Sequence, residues 1–377
     1  MNDRLVSVIN KTRKIPFMNR KLPITAVMLS VLIILSSCGM TTKPSETSTT
    51  SATSSAGSSS AEAAITEGST VEPVHMDHTF NPHCLSQIYV DKYGKDFEEN
   101  FYRYCDAVLS GAETVKCDKK EWLPKFRDLS RIYLPIAFRY CYSMDEDITS
   151  AGNGEYKLSY GLPKDEYLKK VDEFKARIES LIESACHEGD TPFEMTLALY
   201  QSEGKRLTYD EAAADSADAD PASVSLSPYR ALMTDTGICQ EIAGAYAYLL
   251  MQVGVDAITC GGLTKDVSAS HEWTVVKIEG KYYHCDLTFQ LNESATLRYF
   301  GMDDKQREIE GDWDMQYNNF GDTNDIWYKD LKLEDKRFEP LWTITSYKID
   351  RENHKLCCYD SYECTGDLIV KIPLDSL

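Results

Sequence analysis

Large apolar residues are nearly absent from positions 39–71, which are mostly Ser, Thr and Ala, and return in periodic groups from about residue 80. Phe97, Phe101, Tyr104, Cys105 and Val108 recur at helical spacing. The stretch 129–142 is apolar and aromatic, and Pro135 would kink it if it is one helix. Residues 152–161 read as a loop. From Asp165 a long helix is expected, with Leu168, Val171, Phe174, Ile178, Leu181, Ile182 and Ala185 on one face and Gly189 as its stop. Asp190 or Thr191, with Pro192 just inside, opens the next helix, which carries Phe193, Leu197 and Leu199. Tyr209-Asp210 closes this helical region. Residues 211–227, rich in Ala, Asp and Ser, then read as a loop, either near a cleft mouth or an inert surface insertion.

From Gly237 the pattern sharpens. Ile242, Ala243, Tyr246, Leu249, Leu250 and Val253 mark a helix ended by Gly254, and strands are expected at 257–260, 272–278 and 282–289. The tail, 342–372, reads as strands in a small sheet or hairpin. Together these elements predict an α+β chain. A helical region at 80–190 precedes a helix packed on an antiparallel sheet at 191–315, and a β-rich extension follows at 316–377.

The first seventy residues fall outside that fold. Arg4, Lys11, Arg13, Lys14, Arg20 and Lys21 form a basic region before an apolar run at 24–35, shorter than the about 20 residues of a comfortable membrane span. The run ends in Leu35-Ser36-Ser37-Cys38, which resembles a lipobox, so residues 1–37 are expected to be a lipoprotein signal peptide and Cys38 the lipidated first residue after cleavage. An ordinary signal peptide with an accidental cysteine is the alternative. The stretch 38–72 cannot bury enough surface to offset chain entropy and reads as a lipid-anchored tether. This places the folded part on the extracytoplasmic face of the membrane. The chain carries 60 acidic and 40 basic residues, a net charge of −20, which disfavours nucleic acid as a partner because phosphate binding needs a basic footprint.

Twelve cysteines are present. Exported chains can oxidise thiols, but the spacing fixes no pair. There is no CxxC pair and no zinc-type histidine spacing, so neither metal nor cofactor is expected. His75, His78 and His83 could form a weak metal cluster, though a solvated tail is the plainer reading.

Cys239 falls at the first turn of its helix, where the helix field favours a thiolate, the nucleophilic form of cysteine. Ala243, Gly244, Ala245 and Ala247 keep that helix slim enough for a sheet to pack close. Glu279-Gly280 suits a two-residue hairpin turn between residues 278 and 281. In that register Trp273 opposes Asp286 and His271 opposes Thr288. His271 and Asp286 then share a face as diagonal neighbours, about 7 Å apart. A carboxylate there can orient and stabilise an imidazole serving a cysteine nucleophile. His284 lies on the same face but opposes Val275, nearer the turn, and reads as structural.

Thr236-Gly237-Ile238-Cys239-Gln240, then Gly261-Gly262, then His271-Glu272-Trp273, then Gly280 to Phe289 resemble the transglutaminase-like superfamily in order and spacing. Leu207-Thr208-Tyr209-Asp210 resembles the Tyr-Asp that commonly precedes the cysteine segment, and Tyr299 to Asp304 the segment that often follows. The resemblance spans about residues 165–315. It implies a papain-like α+β core and an acyl-enzyme mechanism, with Cys239 as nucleophile, His271 as proton carrier and Asp286 as its orienter. The Cys239 backbone N–H would be one oxyanion donor and Tyr209 is the candidate for a second. Three departures bear on substrate preference. Glu241 and Ile242 stand where many relatives have Gly and Tyr, Leu287 and Phe289 replace Pro and Trp, and Glu272 follows His271 where small residues are common. Substrates would be protein or peptide amides, cell-wall peptide among them, with hydrolysis favoured over transfer to an amine. The alternative is a catalytically silent binding module at the cell surface.

Overall fold

Regularly spaced aromatic side chains build the first helices: α1 (Gln87–Tyr93), α2 (Lys95–Leu109), α3 (Leu123–Tyr133) and α4 (Pro135–Tyr140). The computed structural model describes residues 74–141, 149–217, 227–267, 270–291, 296–359, 364 and 367–374. Phe97, Phe101, Tyr104, Cys105 and Val108 are buried, as their spacing predicts. Pro135 does more than kink a helix. Leu134, at φ −152°, separates two helices, and the proline takes the first position of the second, where its missing N–H costs nothing. Next come α5 (Lys164–Ala185) and α6 (Pro192–Arg206). Thr191 caps α6 reciprocally: its hydroxyl accepts from the Glu194 N–H at 3.2 Å, and the Glu194 carboxylate accepts from the Thr191 N–H at 2.8 Å.

Two expected loops contain regular structure. Within 152–161, Glu155–Lys157 forms the centre of a three-stranded antiparallel sheet between Thr114–Lys116 and Ser150–Gly152. Residues 211–217 form a helix, α7 (Glu211–Ala217), because four alanines favour it and the Asp210 carboxylate accepts from the Ala213 N–H at 2.9 Å at its start. The rest of that segment, 218–226, lies outside the described residues. The three N-terminal histidines all contact the fold, although His75 stays exposed and His83 partly so. His75 stacks on His187, His78 is buried near Gln252, and His83 bonds Asp106 at 2.8 Å.

The second half places α8 (Pro228–Thr234) and α9 (Cys239–Gln252) against a five-stranded antiparallel sheet. Its strands are β1 (Ala257–Leu263), β2 (Ser270–Ile278), β3 (Lys281–Cys285), β4 (Asn319–Phe320) and β5 (Ile326–Trp327), in the order β5-β4-β1-β2-β3. α9 lies on β1 and β2, and the Thr274 hydroxyl ties it down by donating to the Ala243 carbonyl at 2.8 Å. Gly244 serves a different neighbour than expected. A Cβ there would sit 2.4 Å from Pro228 Cγ, so the glycine admits α8 rather than the sheet.

The β2–β3 hairpin has the expected register, with Ile278 opposite Lys281 and Val275 opposite His284. Glu279 (φ 46°) and Gly280 (φ 83°) both adopt left-handed backbone, as a type I′ turn requires. The second strand is shorter than expected, ending at Cys285 rather than 289. Asp286 turns the chain: its N–H donates to the Tyr299 carbonyl at 2.8 Å, and its carboxylate accepts from the Phe289 N–H at 3.1 Å, capping α10 (Leu287–Leu291). Thr288 therefore does not pair with His271. The helix α11 (Asp304–Ile309) follows, capped by Asp303. The tail forms a second antiparallel sheet of β6 (Ser346–Asp350), β7 (Lys355–Tyr359) and β8 (Leu368–Pro373).

One continuous apolar cluster runs from Phe80 to Leu374. Buried tyrosines stitch its parts together through backbone carbonyls. Tyr133 of α3 donates to Ala257 of β1 at 3.1 Å, Tyr246 of α9 to Thr196 of α6 at 2.9 Å, and Tyr347 of β6 to Leu197 at 3.3 Å.

Candidate active site

Cys239 is the first residue of α9 and follows Ile238 in extended backbone. Two-residue parallel pairing sets Thr208 beside Thr236 and Tyr209 beside Gly237, which carries the Tyr209 ring to the helix start. Glu241 satisfies one free donor of that helix start, accepting from the Ile238 N–H at 3.1 Å. A lone buried carboxylate two residues from a thiol would repel a thiolate. Arg230 cancels it, bonding both Glu241 oxygens and also Asp210 at 2.6 Å. Among the described cysteines only Cys239 and Cys364 are partly exposed, and all the described cysteines are free thiols. Burial pushes the Cys84 and Cys285 thiols up to about 12, which keeps them protonated and inert.

His271, on β2, faces Gly262 of β1. A Cβ at Gly262 would lie 2.6 Å from the Trp273 ring and 2.8 Å from the Asn318 carboxamide, so only glycine fits. Cys239, Gln240, Gly261, Gly262, His271 and Glu272 line a narrow cleft of about 110 Å³. A larger, acid-lined depression of about 420 Å³ borders Asp304, Glu308 and Asp314 and contains neither Cys239 nor His271.

The structure brings the three expected residues together. His271 Nε2 lies 2.8 Å from Asp286 Oδ2, and the Cys239 thiol is near enough to the same imidazole to raise its proton affinity. With Nε2 taken by the carboxylate, Nδ1 is the nitrogen left for sulfur. Phe289 and Trp313 stack on the imidazole, with centroids 5.0 and 5.6 Å away. Burial works against a charged His271, but Asp286 and then Cys239 outweigh it and hold His271 up at about 9. Burial alone would raise Asp286. His271 and then Arg307 reverse this and hold its carboxyl below the usual range.

Tyr209 also lies beside Cys239. Its ring stands close to both the thiol and the backbone N–H of Cys239, the donor an oxyanion would use. Burial, then the nearby Cys239, keep the phenol protonated. His284 is structural, as its position suggested. Nδ1 accepts from Trp273 Nε1 at 2.8 Å, and Nε2 bonds Asp304 at 2.9 Å. Burial pulls this imidazole down, so it is the neutral form that fits. Cys38 lies outside the described residues.

Two parts of the site were missed in the sequence. Glu272 is a partner of Arg131 from α3, and Arg131 also bonds Asp322 at 2.8 Å through Nε, so a buried clasp joins the N-terminal helices to the strand of His271. Arg307 of α11 is fully buried, with Nη2 2.9 Å from Asp286 Oδ2. Its guanidinium lies over Trp273 at 4.1 Å and against Phe289 and Trp313, each at 5.1 Å. Neither announces itself: Arg307 sits in the run Asp303-Asp304-Lys305-Gln306-Arg307-Glu308, which reads as solvated surface.

A cysteine at a helix start, an adjacent sheet histidine and a carboxylate behind it are the features of a papain-like α+β core. Residues 179–287 match the family profile described as the transglutaminase-like superfamily. Two solved structures are similar over part of their length. One is described as a TGase, with 15% identity and a TM-score of 0.28, covering 36% of this chain and 40% of that one. The other is described as a "putative cysteine protease" from Cytophaga hutchinsonii, with 14% identity and a TM-score of 0.24, covering 31% and 37%. The chain thus spans well under half of either structure. No curated protein matches the sequence.

Proposed function

We propose that the chain is a thiol acyl-transfer enzyme acting on protein or peptide amides, held by a lipid on Cys38 at the outer face of a membrane. The observation that carries the catalytic part is the His271 imidazole, bonded to Asp286 and sharing with Cys239 the wall of an open cleft. The anchor rests on the Leu35 to Cys38 sequence and the tether behind it.

In this reading the Cys239 thiolate attacks the amide carbonyl carbon, and the carbonyl electrons move to oxygen. The Cys239 backbone N–H receives that charge. The C–N bond then breaks as the imidazolium of His271 gives its proton to the leaving amine, and a thioester remains. Water or an amine attacks the thioester, His271 takes the attacking group's proton, and the thiolate returns. Water yields a carboxylic acid and an amine yields a new amide. Hydrolysis is the favoured outcome, because the small cleft beside Cys239 is open to solvent, which supplies water as the acceptor.

Incubation of the purified protein in reducing buffer with casein, with casein plus a primary amine, and with peptidoglycan tests this. New carboxyl termini or released peptides support hydrolysis, and amine incorporation supports transfer. No turnover of any amide, with Cys239 unmodified, would overturn the enzymatic reading in favour of a binding module.

A further inference from the structure

Arg307 is an unusual residue to find behind a catalytic-type histidine. Its side chain is wholly buried, and its ion-pair partner among the described residues is Asp286, itself wholly buried. None of its nitrogens makes a well-formed hydrogen bond. Three aromatic faces, from Trp273, Phe289 and Trp313, hold the guanidinium in place. Burying such a pair is seldom the stablest choice, since an apolar residue of similar volume usually serves a core as well or better. The pair therefore calls for a role beyond packing.

That role follows from counting charge. Asp286 Oδ2 is shared: His271 Nε2 lies 2.8 Å away and Arg307 Nη2 2.9 Å away. Without Arg307, the negative Asp286 would cancel the charge of a protonated His271, and a thiolate at Cys239 would face a neutral pair. With Arg307 the carboxylate is already balanced, and the imidazolium keeps one uncompensated positive charge for sulfur. The four groups then alternate in sign from Cys239 through His271 and Asp286 to Arg307. We propose that Arg307 is a positioning residue of the site, the counter-ion of Asp286, which leaves the charge of His271 free to hold the Cys239 thiolate. This rests on the catalytic reading of Cys239 and His271.

The other titratable groups around the quartet do not substitute for it. Cys260 of β1 is buried, His284 is engaged with Asp304, Glu310 pairs with Arg298 at 3.0 Å, and Asp303 caps α11. The aromatic cage also explains why a guanidinium stands here. A planar, weakly hydrated cation can stack on flat rings while one edge meets a carboxylate, which a lysine ammonium does less well.

The test compares wild type with Arg307→Gln, which keeps a donor for Asp286 but no charge, and Arg307→Lys, which keeps the charge. Two quantities are read: the midpoint of His271 by NMR titration, and the rate of Cys239 alkylation by iodoacetamide at pH 6. In Arg307→Gln the His271 midpoint should rise from about 9, because a neighbouring cation is gone, by about one pH unit or more. Alkylation at pH 6 should fall about tenfold or more, because the thiolate has lost its net positive field. Arg307→Lys should recover much of both. A merely structural role would loosen the site and move His271 the other way, down towards 6.5, and that result overturns the proposal. So does a folded Arg307→Gln with both quantities unchanged. If Arg307→Gln does not fold, Arg307→Met, shaped for an apolar cage, takes its place with the same expectations. If neither neutral variant folds, Arg307→Lys decides: a His271 midpoint near the wild-type value supports the charge argument, and a fall towards 6.5 overturns it. Wild-type alkylation no faster than that of His271→Ala would instead defeat the catalytic reading itself, whatever the Arg307 variants show.

Discussion

At the residue scale, Cys239, His271 and Asp286 were legible because each is tied to a local signal. Cys239 stands two residues after Gly237 at a helix start, and His271 lies on a hairpin whose turn is written in Glu279-Gly280 and whose second strand ends one residue before Asp286. Arg307 was not legible, since its burial depends on Trp313 and Phe289 closing over it from distant segments. The charge on His271 has a consequence for stability. Its proton affinity is raised in the folded chain, from 6.5 to about 9, by Asp286 and Cys239 against the opposing effect of burial. Folding therefore gains from the charged imidazole below pH 6.5, and that gain is lost as pH rises through about 9, to an extent of about 3 kcal/mol. Thermal unfolding of wild type and His271→Gln from pH 6 to pH 10 should show wild type losing its advantage over this window. Parallel pH profiles for the two proteins would contradict the assignment.

At the scale of elements, patterns of period two and 3.6 located the helices and the main hairpin, and capping residues set several boundaries. Thr191-Pro192 with Glu194 is the clearest case. The failures have physical causes. The strand expected to reach 289 stops at Cys285 because Asp286 spends one oxygen capping α10 while the other faces His271, and a local pattern cannot show that a side chain has two duties. Residues 211–217 looked like a loop because their Asp and Ser suggested one, yet alanine's helix preference prevailed. The β2–β3 hairpin carries His271 and sets its partner's position, so its turn is a sensitive point. Gly280→Val forces a β-branched residue to φ 83° and should cost about 1–2 kcal/mol in urea denaturation. Gly280→Asn, which tolerates that conformation better, should cost less than half as much. Equal losses would mean that the turn geometry does not matter.

At the scale of the whole molecule, the α+β order of helices, cysteine helix with sheet, and β tail was readable, but the linkage between the parts was not. The Arg131 clasp joins α3 to Glu272 and to Asp322, residues 141 and 191 positions away in the chain. Such long-range pairs leave no trace in sequence periodicity. Glu272 is thereby explained as an acidic residue beside His271 whose charge is matched from another layer. Arg131→Met should destabilise the protein by about 3 kcal/mol, because two buried carboxylates lose their guanidinium, and Glu272→Gln with Asp322→Asn in the same chain should restore part of the loss. A fully additive loss in the triple variant would contradict the pairing. The single apolar cluster predicts one cooperative transition in these experiments.

Whether His271 activates Cys239 can be read from iodoacetamide alkylation at pH 6. At that pH an unassisted thiol, with a pKa of about 8.5, is almost wholly protonated and reacts slowly. Cys239 in wild type should be alkylated at least about tenfold faster than in a folded His271→Ala, with the modified residue identified by peptide mass. Equal rates in the two proteins would contradict it.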